Sequence, residues 1–111
     1  MAVQGTDLSA FGRFSEPSLL VLASLAGGPK HGYALMQDIA TFTGTRLEPG
    51  TLYGAIARLE KLRWIEALPS EGPRRPYRLT SDGAAALRSQ LDTMAGVVAV
   101  GMQRLSRAGD A

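Results

Sequence analysis

The chain has 111 residues, a mass of 11.7 kDa and a formal net charge of +2. Hydrophobic residues make up 45% of it and charged residues 20%, which is typical of a folded domain rather than of a disordered chain. There is no cysteine and a single histidine, so disulfides, thiolate metal sites and Cys–His dyads are excluded within one chain. A chain this short often completes its core in an oligomer.

No segment of the sequence is apolar for long enough to predict a membrane span. The longest apolar run covers residues 19–26, contains Ser24 and ends at Gly27, whereas a span needs about 20 apolar residues. The first 14 residues lack the basic start and apolar run of a secretion signal. These features predict a cytoplasmic protein with no membrane partner.

The first part of the chain predicts three short helices. Residues 1–14 are interpreted as an N-terminal arm or a short extra helix. Pro17 suits a first helical turn and a Gly-Gly-Pro sequence follows residue 26, which predicts a helix over about 17–26. Apolar spacing predicts a second helix from residue 31 or 32 to about 42 and a third over about 49–63. Leu52, Ile56 and Leu59 form the buried stripe of the third helix.

The remainder predicts a hairpin followed by a long helix. Two β-capable runs, 64–68 and 74–79, flank a turn rich in Gly and Pro. Pro73 and Pro76 are expected to confine the second strand to an edge of the sheet or to a loop-like geometry. Thr80 or Ser81 is the expected cap of the last helix. Its apolar residues recur at heptad spacing, at positions 84, 87, 91, 94, 98, 101 and 105.

Three helices followed by a β-hairpin is the order of a winged helix-turn-helix, so the predicted fold is mainly α with a small β-hairpin. The predicted boundaries are 15–80 for a DNA-binding domain and 81–108 for a C-terminal dimerisation helix. In such folds the third helix enters the major groove of DNA. Here its outward side carries small residues, which would allow close approach to DNA, together with basic side chains.

Charge placement favours the same interpretation. Between Arg46 and Arg78 there are seven basic and four acidic residues, a net charge of +3, whereas the remainder has five basic and six acidic residues, a net charge of −1. The basic excess therefore falls on the third helix and the hairpin. Arg74 and Arg75 follow a Gly-Pro pair, as expected for a hairpin tip that reaches phosphates or the minor groove.

Four separate motifs resemble the PadR family of transcriptional regulators over roughly residues 17–88. They are Lys30-His31-Gly32-Tyr33, Pro49-Gly50-Thr51-Leu52-Tyr53, Arg58-Leu59-Glu60-Lys61, and Arg75-Pro76-Tyr77-Arg78-Leu79-Thr80 with Gly83 after it. The resemblance implies a winged-helix homodimer that binds an inverted-repeat operator in double-stranded DNA, usually as a repressor. It also implies pairing through the C-terminal helix and, as in some members of the family, release by a small hydrophobic or phenolic effector.

The resemblance and the residue pattern together give two sets of candidate residues. The candidate DNA-binding residues are Lys30, His31, Thr51, Tyr53, Gly54, Arg58, Lys61, Arg74, Arg75 and Arg78. The candidate dimerisation residues are Leu87, Leu91, Met94, Val98 and Leu105. The chain departs from the family pattern at Gly54, where a proline is common, at Glu48, where a small polar cap is commoner, and at Arg63-Trp64, which replaces the usual glycine.

Other interpretations of the sequence remain open. The heptad residues of the last helix could pack within the chain instead of against a second copy. The fold could be a winged-helix protein-interaction module without DNA binding, although such a module need not keep the basic side chains. Enzymatic activity has no supporting site, because His31 has no nucleophile or pocket implied around it. No metal and no cofactor are expected.

Overall fold

The computed structural model describes residues 16–70 and 72–110, so the predicted arm at 1–14 lies outside the described residues. Within these residues four helices and three strands follow each other. They are α1 (Glu16–Leu25), β1 (Lys30–His31), α2 (Gly32–Thr43), α3 (Pro49–Lys61), β2 (Ile65–Ala67), β3 (Pro76–Leu79) and α4 (Ser81–Asp110). This is the predicted order of three helices, a hairpin and a long helix, with one additional short strand.

The helix-turn-helix begins and ends at residues whose backbone conformation stops a helix. His31 caps α2, because its Nδ1 accepts a hydrogen bond from the Ala34 amide at 3.3 Å. Gly44 ends α2 with a left-handed φ of 77° and donates its N–H to the Ala40 carbonyl at 2.8 Å. Glu48 precedes α3 without a side-chain capping bond, and Pro49 occupies the first turn.

The core lies between the three short helices, the sheet and the start of α4. On α3, Leu52 and Leu59 are fully buried and Ile56 is 2% exposed, as the apolar stripe predicts. Their buried neighbours come from α1, α2, α3, β2 and α4, namely Val21, Leu22, Leu25, Leu35, Met36, Ile39, Ala55, Ile65 and Leu87. Trp64 packs against this cluster at the base of the hairpin and is half-buried.

The sheet has three antiparallel strands in the order β1-β3-β2. The sequence predicts only the hairpin formed by two of them, β2 and β3. Strand β1 has two residues, too few for an alternating pattern to reveal it, and pairs Lys30 with Tyr77 and His31 with Pro76. The expectation that Pro76 confines its strand to an edge or a loop-like geometry is wrong, because β3 is central. Pro76 is the first residue of the strand, a position that tolerates proline.

The turn from α3 to β2 has a left-handed residue that is not glycine. Arg63 has a φ of 63°, the only positive φ among the described non-glycine residues. The resemblance places a glycine near this position, and the structure shows that the turn keeps the conformation that glycine favours. An L-residue in this region costs about 1–2 kcal/mol.

The junction between the sheet and α4 depends on a close backbone approach. The Thr80 hydroxyl caps α4 by accepting a hydrogen bond from the Gly83 amide at 3.0 Å, as predicted. Gly83 is buried, and a Cβ there would overlap the Trp64 carbonyl oxygen and lie 2.8 Å from the Trp64 carbonyl carbon. From this anchor α4 runs for 30 residues and gives the molecule extents of 61 × 25 × 24 Å.

We predict that Gly83→Ala destabilises the fold, because the new methyl group meets backbone that cannot rotate away. The expected loss is about 1–3 kcal/mol in the free energy of unfolding, measured by chemical denaturation. Gly96→Ala is the matched control in the same helix, since a Cβ at position 96 meets nothing within 4 Å. That control should raise stability by up to about 1 kcal/mol. Equal effects of the two substitutions would contradict the close approach at Gly83.

Candidate nucleic-acid interface

The outward side of α3 carries a row of small residues that ends in a lysine. Gly50, Gly54, Ala57 and Lys61 follow each other at helical spacing opposite the buried stripe and form the outer stripe. Gly54 is half-buried and the other three are exposed. A Cβ at Gly50 or Gly54 would meet nothing within 4 Å, so packing within the described residues does not require glycine at either position. The outer stripe therefore offers an unobstructed helix backbone to a partner molecule.

Tyr53 borders the outer stripe on the side of α2. Its ring lies over the buried backbone of Gly32, where a Cβ would stand 2.7 Å from the Tyr53 Cζ. Gly32 therefore allows the start of α2 to lie directly against α3, and Tyr53 keeps 50% of its surface exposed. Thr51 is exposed in the first turn of α3. The start of α3 thus presents two hydroxyl groups, one of them held by packing.

A cleft of about 380 Å³ lies between the start of α2, the start of α3 and the hairpin. We call the hairpin, with β2, β3 and the loop between them, the wing. This wing cleft is lined by His31, Gly32, Tyr33, Tyr53, Pro73, Arg74, Arg75 and Tyr77. It therefore brings together four of the predicted DNA-binding residues from three parts of the sequence.

Four lining residues of the wing cleft were not among the candidate site residues, namely Gly32, Pro73 and the tyrosines Tyr33 and Tyr77. The chain has three tyrosines, and all of them line this cleft. Burial raises the pKa of the Tyr77 hydroxyl above its usual 10.0, the Glu60 carboxylate raises it further and Arg75 opposes the rise. Tyr77 therefore stays protonated at neutral pH. Their positions in the sequence could have indicated these two tyrosines, since each lies within two residues of a candidate DNA-binding residue.

The two adjacent arginines of the wing have different surroundings. The Arg74 guanidinium lies 6.0 Å from the centre of the Tyr33 ring, which is within cation–π range and bridges the wing to α2. Arg75 is exposed and lowers the pKa of Tyr77 through its charge. The Ser70 hydroxyl donates to the Arg74 carbonyl at 2.6 Å and so ties the two sides of the wing loop together. Arg75 is thus the wing arginine with the more outward role.

Lys30 does not line the wing cleft, although it was a candidate DNA-binding residue. Its ammonium donates to the Ser24 carbonyl at 2.6 Å and to the Gly28 carbonyl at 3.3 Å, at the end of α1. It also lies 3.9 Å from Asp38, which accepts a 2.6 Å hydrogen bond from the Ser24 hydroxyl. A cation at a helix C-terminus interacts favourably with the last carbonyl groups. Lys30 therefore serves as a link between α1 and α2.

Two further candidates also have partners within the chain. Arg78 forms an ion pair with Glu66 across β2 and β3, with both side chains about half-exposed. Arg58 donates from Nη2 to the Ser18 hydroxyl on α1 at 3.2 Å. Neither arginine lines the wing cleft. The basic side chains of the candidate set are therefore divided between internal links and an exposed surface.

The last helix leaves an apolar face uncovered. Leu87 is 5% exposed and belongs to the chain's own core, although the heptad pattern placed it among the dimerisation residues. Beyond it Leu91, Met94 and Val98 are 38–60% exposed and Leu105 is 70% exposed. We call these four residues the apolar face of α4. Val97, Val100 and Met102 are also exposed and widen this surface.

Two kinds of site are absent from the part of the chain that the structure describes. No group of three or more His, Cys, Asp and Glu side chains could hold a metal ion there. None of the described helices is both long and apolar enough to cross a membrane.

Solved structures with the same arrangement include three bacterial regulators. A PadR family transcriptional regulator from Eggerthella lenta is 30% identical, with a TM-score of 0.67 over 94% of this chain and 91% of that chain. A transcriptional regulator from Clostridium thermocellum is 29% identical, with a TM-score of 0.68 over 76% and 84% of the two chains. A PadR family regulator from Clostridium difficile is 23% identical, with a TM-score of 0.71 over 82% and 99%.

A curated relative is longer than this chain. It is an uncharacterized 37.1 kDa protein in a transposon of Streptomyces fradiae, 43% identical over 83 residues. The matched region covers 75% of this chain and 24% of that protein.

The family assignment rests on the sequence profile and on the fold together. Residues 21–89 match the profile of the transcriptional regulator PadR-like family, which is more than half of the chain. These residues include the second half of α1, all of α2, α3 and the wing, and the anchored start of α4. The solved relatives share this winged-helix architecture. The chain is therefore a member of the PadR-like family of transcriptional regulators.

Proposed function

We propose that this regulator is a cytoplasmic homodimer that binds an inverted-repeat operator through α3 and the wing and represses transcription. The observation that carries the proposal is the wing cleft, which joins His31, Tyr53, Arg74 and Arg75 beside the open outer stripe of α3. Hydroxyl, imidazole and guanidinium groups are the donors that proteins direct at phosphates and base edges. Their convergence next to an unobstructed helix fits a DNA duplex better than it fits a small substrate.

In this proposal α3 lies in the major groove with its outer stripe toward the bases. Gly50 and Gly54 let the helix backbone approach DNA closely, and the Ala57 methyl group can contact a thymine methyl group. Thr51 and Tyr53 offer hydroxyls at the start of the helix, where recognition helices contact base edges. Lys61 adds a charge at the far end of the stripe, within reach of a phosphate.

The wing supplies the salt-dependent part of the affinity. Arg74 and Arg75 are both exposed on the wing, and the Arg74 guanidinium lies over the Tyr33 ring. His31 caps α2 by accepting a hydrogen bond at Nδ1. Its other ring nitrogen, Nε2, is therefore the one that can carry a proton and donate a hydrogen bond to a phosphate. Phosphate contacts of this kind fix the register of a protein on DNA without reading its sequence.

The second copy of the chain covers the apolar face of α4 in this proposal. Contiguous apolar surface of this kind on a small protein marks an interaction site. A two-fold pair would place the two α3 helices about 34 Å apart, one turn of DNA, and so requires an inverted-repeat operator. An apolar effector would bind between the paired α4 helices, since Met94 and Met102 can adapt their side chains to a ligand.

The proposal predicts that the chain shifts DNA from the region upstream of its own gene and that Arg75→Ala weakens this binding. The loss should be similar for all sequences, because a phosphate contact carries no base information. The slope of log affinity against log salt should fall by about 0.9 for each phosphate contact removed. Electrophoretic mobility shift at several salt concentrations measures both effects. No shift at micromolar dimer would favour the protein-interaction module instead.

Gly54→Ala should separate folding from DNA binding. The added methyl group meets nothing within 4 Å among the described residues, so stability should rise by up to about 1 kcal/mol through helix propensity. The same methyl group enters the space assigned to DNA, so affinity should fall about tenfold, equivalent to about 1.4 kcal/mol. Gly96→Ala on α4 is the matched control and should raise stability without changing affinity. A Gly54→Ala variant with unchanged affinity would contradict the assigned docking of α3.

Val98→Arg should convert the dimer to a monomer, because it places a charge in the middle of the apolar face of α4. Val98 is 60% exposed in the single chain, so the monomer fold should persist. Gln103→Arg is the control on the opposite side of the same helix and should remain dimeric. Sedimentation velocity distinguishes the two states. If both variants have the mass of the unaltered protein, the dimer lies elsewhere.

A further inference from the structure

Arg58 lies on the flank of α3 that borders α1, two turns after Thr51. The sequence pattern groups it with Lys61 as a basic side chain available to DNA. In the structure its guanidinium instead reaches Ser18, whose hydroxyl accepts the Nη2 hydrogen bond at 3.2 Å. Ser18 is 1% exposed, so this part of the interaction is closed to a DNA duplex.

The contact joins parts of the chain that are distant in sequence. Ser18 and Arg58 are 40 residues apart, and each has at least one interaction besides this hydrogen bond. A guanidinium holds a planar set of donors, so several partners can fix its direction at once. No described buried polar side chain lacks a hydrogen-bond partner. The hydrogen bond between Arg58 and Ser18 therefore belongs to a group of contacts between α1 and the last two turns of α3 in which the buried polar side chains have hydrogen-bond partners.

The contact between Arg58 and Ser18 matters because α1 lies between α3 and α4. Besides α3, α1 contacts the long helix α4, which carries the dimer interface in the proposed function. One path from the proposed dimer axis to the residues proposed to read DNA therefore runs from α4 through α1 to α3. Arg58 lies on that path, and Thr51 is about 10 Å farther along α3 at 1.5 Å per residue. A small rotation of α3 against α1 would move the start of α3 relative to the partner's copy.

We propose that Arg58 is a positioning residue that fixes the recognition helix on α1, rather than a residue that contacts phosphate. This proposal rests on the proposed DNA-binding function. It assigns Arg58 control over the distance and angle between the two recognition helices of the dimer. Specificity for half-site spacing then depends on a side chain that does not touch DNA.

The test compares Ser18→Ala, Arg58→Ala, Arg58→Lys and the Ser18→Ala/Arg58→Ala double variant with the unaltered protein. Affinity is measured at several salt concentrations for the operator and for versions with one base pair inserted or removed between the half-sites. Ser18→Ala is the mildest change, and it keeps the test valid if Arg58→Ala does not fold. Lys61→Ala is the control for a true phosphate contact and should lower the salt slope by about 0.9.

The proposal predicts that Arg58→Ala and Ser18→Ala each lower the preference for the original spacing several-fold. The salt slope should remain that of the unaltered protein, and the double variant should be no worse than Arg58→Ala. Arg58→Lys should retain the defect, because an ammonium keeps the charge but not the planar fork. A salt slope that falls as in Lys61→Ala, or a Ser18→Ala variant with unchanged spacing preference, would overturn the proposal.

Failure of the proposed function gives a different result. In that case the unaltered protein binds none of the DNA duplexes, while all variants can still be unfolded by denaturant. The same four variants then form a double-mutant cycle in stability. Additive effects of the Ser18 and Arg58 substitutions would overturn the assigned link. Strongly non-additive effects would support Arg58 as the residue that fixes α3 on α1.

Discussion

The burial of α1 is the constraint on which the rest of the structure depends. Its ten residues contact α2, α3, α4 and β3, and Val21 and Leu22 have no exposed surface. Helix α1 therefore packs against α3, against the central strand of the wing and against the long helix α4. Because side chains in such a core interlock without voids, a shift of α1 would have to displace all its neighbours together. The packing of α1 therefore helps to set the orientation of α3 relative to α4, away from the surface that is proposed to meet DNA.

The sequence predicts much of this fold because its strongest signals are local. The apolar spacing of α3, the Pro at its start, the Thr80 cap and the long repeat of α4 each depend on residues within a few turns of one another. The two-residue strand β1 has no such signal, since it exists only through its pairing with β3. The central place of β3 was likewise hidden, because Pro76 disfavours a central strand unless it begins that strand.

The location of the candidate interface could be predicted from the sequence, but which of its basic side chains are exposed and which are bonded within the chain could not. Composition places basic residues near α3 and the wing, and it cannot tell an exposed cation from one that bonds within the chain. Lys30 and Arg58 are attached to opposite ends of α1, and Arg78 is paired with Glu66. The net positive charge of this region is thus only partly available to phosphates. Tyr33 and Tyr77 were missed for a related reason, since the pairing of β1 with β3 brings their parts of the chain to the same cleft.

The pairing of β1 with β3 also bears on the thermodynamics of recognition. It joins the base of the wing to the residue that caps α2, so the two cannot move independently without breaking sheet hydrogen bonds. A surface that is assembled before its partner arrives loses little conformational entropy on binding. In the proposed complex, adjustment to a DNA site would then be confined to the wing loop and to the pairing of two α4 helices. The surface that is proposed to read DNA is in this sense preorganised within one chain.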